Sequence, residues 1–263
     1  MGTLDGKTAV VFGVANHNSI AWAIAQKLAA QGARLAFTYQ ERMEKNVRNL
    51  TSNTPGMEGS LVVPCDVQSD SDLDTAFEQI GQGFGGGLDI LIHSVAYAPT
   101  DDLRGRISQV SRAGFTTALD VSAYSLMAMA KRAEPLMRAR GGGSVVAMTY
   151  LGSERVVPGY NLMGIAKAAL ETAIRYLAWD LGPQNIRVNG ISAGPLRTLS
   201  ARGVGNINDM FTLIEQVAPL HRNIEQNDVG DVAAFLCSPA AATLTGTILY
   251  VDNGFHVMGL GAM

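Results

Sequence analysis

At 263 residues, of which 47% are apolar and 16% charged, the chain can bury a substantial core and suits one α/β domain better than two small ones. A net charge of −3 without any Lys/Arg-rich run argues against a nucleic-acid footprint or an anionic-membrane patch, which leaves small molecules as the partner class. Cys65 and Cys237 are the only cysteines and lack metal-ligand spacing, so a reducing cytoplasm is expected and neither a disulfide scaffold nor a metal site is.

The opening M-G-T-L-D-G-K has no basic run ahead of an apolar one, and Gly6 stands where a myristoylation signal takes Ser or Thr, so no targeting segment is expected. Thr8 to Phe12 is a fully apolar strand signal that runs into Gly13, and Ser19 to Gln31 reads as a helix with Ile20, Ile24 and Leu28 on one face. Gly32 stops it, and Arg34 to Tyr39 is a second strand, completing a right-handed β-α-β unit of the kind that opens nucleotide-binding domains. The glycine pattern between strand and helix, G-V-A-N-H-N-S-I-A, is not the usual G-x-G-x-x-G. Gly13 supplies the tight turn, and Ser19 at the helix start offers a hydroxyl beside free N–H groups that favour a pyrophosphate; a plain N-cap serine reads the same way.

Gln40 ends the second strand, where an acid would hold the ribose 2′-hydroxyl of NAD. A neutral amide there favours NADH over NADPH, while Arg42, two residues on, keeps NADPH open. Glu41 to Ser52 is a helix candidate, Leu61 to Pro64 a third strand, and Ser71 to Gly81 a helix with Ser71 as N-cap. Asp66 and Val67 suit an adenine edge, and Asp66 equally suits a turn. Leu88 to Ile92 is the fourth strand, followed by a loop of small residues, His93 to Ala96, at the sheet edge where such folds bind ligands.

Phe115 to Met137 reads as one long helix, Ser144 to Met148 as a strand, Tyr160 to Leu181 as a second long helix and Ile186 to Ile191 as a sixth strand. Apolar residues on more than one face of the long helices, among them Met127, Met129, Leu170 and Trp179, suit a core or a subunit seam. Gly194-Pro195 breaks the alternation, and a lid is expected around 196–218 with a helix at Asp209 to Val217. A helix from Asp228 to Cys237, with Asp228 near its N-cap, and a strand from Thr247 to Val251 close the chain. The expected fold is α/β: a Rossmann-like doubly wound parallel sheet of about seven strands with helices on both faces, in a single domain spanning 1–263.

Two phenols and an amine stand within the eighteen residues from Tyr150 to Lys167, on a strand-to-helix crossing. Tyr160 and Lys167 are seven residues apart, roughly 10.5 Å of helix rise and nearly the same face, an arrangement suited to steadying an oxyanion beside a cofactor. A half-buried amphipathic face with a snorkelling amine would look the same.

Several stretches together resemble the NADH-dependent enoyl-acyl-carrier-protein reductases of bacterial type II fatty-acid synthesis, a divergent branch of the short-chain dehydrogenase/reductases. They are G-x5-S-I-A at Gly13 to Ala21, F-T-Y-Q at Phe37 to Gln40, C-D-V at Cys65 to Val67, T-Y-L-G at Thr149 to Gly152, Y-x6-K at Tyr160 to Lys167 and A-G-P-L-R-T-L at Ala193 to Leu199. Ordinary members of the superfamily carry Y-x3-K, and here that position is Gly164. The resemblance implies that Gly13, Ser19, Ile20, Gln40, Asp66, Val67, Val95, Leu196, Arg197, Thr198, Leu199 and Ser200 contact NADH. Lys167 would hold the nicotinamide ribose and lower the Tyr160 pKa, and Tyr150, Tyr160 and Ala98 would face an enoyl thioester delivered by acyl carrier protein. It also implies a homotetramer. The loop H-S-V-A-Y-A-P departs from the family, with Ala96 where many members carry glycine and Tyr97 where they often carry Phe, which narrows that wall. Other readings are an ordinary short-chain dehydrogenase acting on a carbonyl, which would want Y-x3-K, and a nucleotide-sensing protein without catalysis.

Overall fold

The computed structural model describes residues 2–198 and 207–259. Seven strands, β1 (Thr8–Phe12), β2 (Arg34–Tyr39), β3 (Leu61–Pro64), β4 (Ile90–His93), β5 (Gly143–Thr149), β6 (Ile186–Ala193) and β7 (Ile248–Val251), form one parallel sheet in the order β3-β2-β1-β4-β5-β6-β7. Burial on both faces explains why the strands read as unbroken apolar runs. Along β1, Ala9 and Val11 enter one core while Val10 and Phe12 enter the other. Each of the larger ones, Val10, Val11 and Phe12, contributes about 1.5–3 kcal/mol.

On the first face lie α1 (Ile20–Ala30), α2 (Glu44–Asn53) and α9 (Gln226–Cys237), with Trp22, Ile24, Leu28 and Val229 in the core. The second face carries α3 (Asp70–Gly83), α6 (Ser125–Arg138) and α7 (Asn161–Leu181), packed through Phe77, Leu126, Met129, Leu170 and Ile174. The doubly wound sheet is therefore the one expected, and α8 (Ile207–Val217) lies in the stretch read as a lid.

Several local expectations fail for physical reasons. The helix expected from Phe115 to Met137 begins earlier, as α5 (Arg112–Leu119), and is divided from α6 by a π-helical turn over Asp120–Tyr124. Ser125 Oγ donates to the Val121 carbonyl oxygen there at 2.7 Å, and Ser122 Oγ accepts from the Tyr97 N–H at 3.0 Å. A short helix, α4 (Thr100–Arg104), precedes it without any apolar periodicity to announce it. Ser71 does not cap α3; Ser69 does, its hydroxyl accepting from the Asp72 N–H at 3.2 Å. α9 starts two residues before Asp228, at Gln226, and Asp228 closes its capping box as expected near the N-cap, accepting from the N–H of the N-cap residue Glu225 at 2.8 Å. His93 is no loop residue: it ends β4, fully buried. The four residues left between core and seam divide, Met129 and Leu170 being fully buried while Met127 and Trp179 face solvent.

Candidate active site

The chain leaves β1 toward β2 on one side and re-enters at β4 on the other, so the loops after these neighbouring strands diverge and open a crevice at their carboxyl ends. Gly13, just after β1, takes φ = +102°, and a Cβ on it would collide with the carbonyl oxygen of Ser94 just after β4. Only glycine fits both the turn and this approach. The cleft beyond is about 220 Å³ and mostly apolar.

Ser19 is the N-terminal boundary residue of α1, but its side chain does not cap the helix. Instead Oγ accepts from the N–H groups of Ala15 and Asn16, both at 3.0 Å, and draws the loop after β1 into a closed curve. The first turn of α1 contains no acidic residue, so its N-terminal partial charge faces the cleft without a competing carboxylate. A glycine bed with no room for a side chain, a helix N-terminus and a buried amine in one cleft fit a dinucleotide.

At the other wall, β5 delivers Tyr150 and the start of α7 delivers Tyr160. Their rings meet edge-on with centroids 4.7 Å apart and planes at 67°. That packing needs backbone to be bare: a Cβ on Gly152 would strike the Tyr160 ring, and one on Gly164 would lie 2.6 Å from the Gly152 carbonyl oxygen. Lys167, only 5% exposed, donates from Nζ to the Met148 carbonyl oxygen at 2.7 Å. Burial lowers its pKa to about 8, with the charge of Glu171 opposing the fall. His93, on the neighbouring strand, is held to about 3 by burial and by Lys167, and its Nε2 lies 2.8 Å from Ser125 Oγ.

The expected lowering of the Tyr160 pKa by Lys167 is not seen, because other groups dominate its surroundings. Burial, then Tyr150 and Glu171, raise it, and burial raises that of Tyr150. Both phenols therefore stand as neutral hydrogen-bond donors.

One cleft brings together Gly13, Ser19, Ile20 and Val95 from the first half of the chain with Tyr150, Tyr160, Lys167, Leu196 and Thr198 from the second. Gln40, Asp66, Val67, Ala98 and Arg197 do not line it. Gln40 is exposed and its Oε1 accepts from Arg42 at 3.1 Å. Asp66 takes the turn role, accepting from the Gln68 N–H at 3.0 Å, and Val67 is buried against the α3 side of the sheet. Arg197 stacks over the Phe211 ring at 4.3 Å, and Ala98 packs against the same small cluster, Leu103, Met163 and Ala166, that Tyr160 packs against. Leu199 and Ser200 lie outside the described residues. Sequence reasoning missed Met148 and Met210, which line the cleft, and Glu171, whose position four past Lys167 on one helix was a usable signal.

The family model described as enoyl-(acyl carrier protein) reductase matches residues 13–256. The chain is 51% identical to the enoyl-acyl-carrier-protein reductase (NADH) FabI of Nostoc sp., over 99% of this chain and 100% of that one. Among solved structures, the enoyl-acyl carrier protein reductase of Bacillus cereus with NADP+ and indole naphthyridinone superposes with a TM-score of 0.95 at 50% identity, covering 99% of this chain and 100% of the other. The Anaplasma phagocytophilum reductase in complex with NAD gives 0.93 at 41% identity, covering 100% and 98%.

Proposed function

The chain belongs to the enoyl-(acyl carrier protein) reductase family, and from that premise we propose how its own residues carry out the reaction. The activity is reduction of the trans-2 double bond of an enoyl thioester to the saturated acyl thioester in fatty-acid elongation, with NADH as cofactor. The bound cofactor supplies the hydride that adds to the β-carbon.

Charge then develops on the thioester oxygen, the neutral Tyr160 hydroxyl donates a hydrogen bond that stabilises the enolate, and a proton from water added at the α-carbon completes the saturation. Tyr150, edge-on to Tyr160, fixes that ring and supplies a second phenol on the substrate side. Lys167 spends one N–H on Met148 and keeps two for the nicotinamide ribose hydroxyls. Gly13, Ser19, Ile20 and Val95 form the bed for the rest of the dinucleotide, Leu196 and Thr198 its cover, and α8 with Met210 the described part of the substrate lid. We assign Gln40, Asp66, Val67 and Arg197 to the adenosine end, beyond the cleft, where Arg42 beside Gln40 is the group that would admit a 2′-phosphate. Ala98, packed against the same cluster as Tyr160, belongs to the acyl wall.

The observation that carries this reading is the pair of half-buried phenols in edge contact next to a buried ammonium at the sheet's switch point. Falling absorbance at the NADH maximum on adding crotonyl thioester tests it. Tight NADH binding without oxidation would leave a nucleotide sensor in its place.

Acyl carrier protein is the proposed donor of the substrate and the cytoplasm the proposed compartment. In support of the latter, both cysteines are free and buried, and among the described residues no helix is long and apolar enough to cross a membrane. A homotetramer would cover the exposed Phe115, Tyr124, Met127, Tyr176 and Trp179 on α5, the π-helical turn, α6 and α7. Sedimentation as a monomer alone would remove that proposal.

A further inference from the structure

Glu171 is a carboxyl side chain only 3% exposed, and nothing in the chemistry above uses it. Burying such a group is costly unless its oxygens are satisfied and a counter-charge is near. Residues of the reaction centre supply two donors to one of its oxygens and a nearby positive charge. Thr149 Oγ1 donates to Glu171 Oε1 at 2.6 Å, and Ser153 Oγ donates to the same oxygen. These two residues flank Tyr150: Thr149 ends β5, and Ser153 closes the short turn Leu151–Ser153 that follows. Tyr150 itself is extended, at φ −154° and ψ 148°, so its ring direction is set by where the strand end and the turn are anchored. One carboxyl oxygen anchors both.

On α7, Glu171 lies one turn beyond Lys167 and is the charge that supports the buried ammonium. The other groups facing Lys167 are the imidazole of His93 from β4, the Met148 carbonyl from β5 and the phenols of Tyr150 and Tyr160. None of these carries a negative charge in the neutral range.

We propose that Glu171 is a positioning residue for the reduction, a single buried carboxyl that fixes Tyr150 through Thr149 and Ser153 and keeps Lys167 charged. The inference rests on the assignment of Tyr150, Tyr160 and Lys167 to the reaction centre. Turnover of crotonyl thioester by the unaltered protein tests that assignment separately.

Two variants divide the roles. Ser153→Ala removes one anchor and keeps the charge, whereas Glu171→Gln keeps an acceptor oxygen and removes the charge. For Ser153→Ala, kcat should fall at least about threefold with the NADH Kd within about twofold, since small displacements of a reacting group are costly, and Ser153→Thr should recover it. For Glu171→Gln, the pH at which NADH binding weakens should move downward by at least about half a unit, because Lys167 loses the nearby negative charge. A merely structural carboxyl would lower the melting temperature and the folded fraction while leaving kcat per folded site and the pH midpoint unchanged. That result, or wild-type kcat in Ser153→Ala, overturns the proposal. If Glu171→Gln does not fold, the Ser153→Ala and Ser153→Thr pair decides it alone.

Discussion

Lys167 Nζ lies 2.7 Å from the carbonyl oxygen of Met148, so the amine of α7 is tied to the end of β5 inside the protein. Its pKa of about 8 means that it is charged below that pH and neutral above it. If the ammonium holds the nicotinamide ribose, NADH affinity stays flat up to about pH 7 and falls as pH rises through 8 and beyond. Fluorescence titration of NADH across pH 6–10 measures this. Lys167→Met should bind NADH more weakly and show no such slope.

Tyr160→Phe deletes the proposed donor to the enolate but keeps the ring against Tyr150. Loss of one such donor costs about 100-fold in kcat, and the NADH Kd should stay within about twofold. Because the raised pKa keeps Tyr160 protonated, its own ionisation adds no loss of activity between pH 7 and 9. Steady-state kinetics with crotonyl thioester, beside direct NADH titration, separates the two effects. Equal losses in both would place Tyr160 on the cofactor instead.

His93 gives the fold an acid weakness. Its imidazole is neutral when buried, with a pKa near 3 against an ordinary value of 6.5, so between those values the unfolded chain binds the extra proton. Stability from this group is therefore complete above about pH 6.5 and lost on acidification, by about 2 kcal/mol at pH 5. Urea unfolding at pH 7 and pH 5 should show the loss, and His93→Asn should shrink it. An unchanged difference in the variant would assign the acid sensitivity elsewhere.

The alternation of strand and helix was legible because both faces of the sheet are covered, which turns each strand into a short apolar run bounded by polar turns. Spacing also placed Tyr160 and Lys167 on one helix face. What remained hidden depends on direction rather than residue type. A serine at a helix start looks the same whether it caps the helix or, like Ser19, bends back to hold Ala15 and Asn16. Asp66 and Gln40 follow their strands as expected, but local sequence does not say whether a side chain turns into the cleft or onto its own loop. The π-helical turn at Asp120–Tyr124 contains no glycine or proline to announce it, so the apolar stretch reads as one helix.

Trp179 and Tyr176 project from α7, 80% and 72% exposed. Aromatic area of this size is energetically valuable when a neighbour covers it. If the proposed homotetramer buries this face, Trp179→Glu should shift the sedimentation coefficient to that of a smaller species while the isolated chain keeps its helical signal. Unchanged sedimentation would move the subunit seam away from this face.

The carbonyl of Gly152 occupies the ground where a side chain four residues past Tyr160 would stand. A descendant of this chain therefore cannot move its lysine one turn toward the tyrosine by a single substitution at 164, because the newcomer would meet the turn before it reached the cleft. Nor can it discard Lys167 first without losing the amine. The seven-residue spacing from Tyr160 to Lys167 is thus set by the bare backbone at 152 and 164 as much as by the helix period.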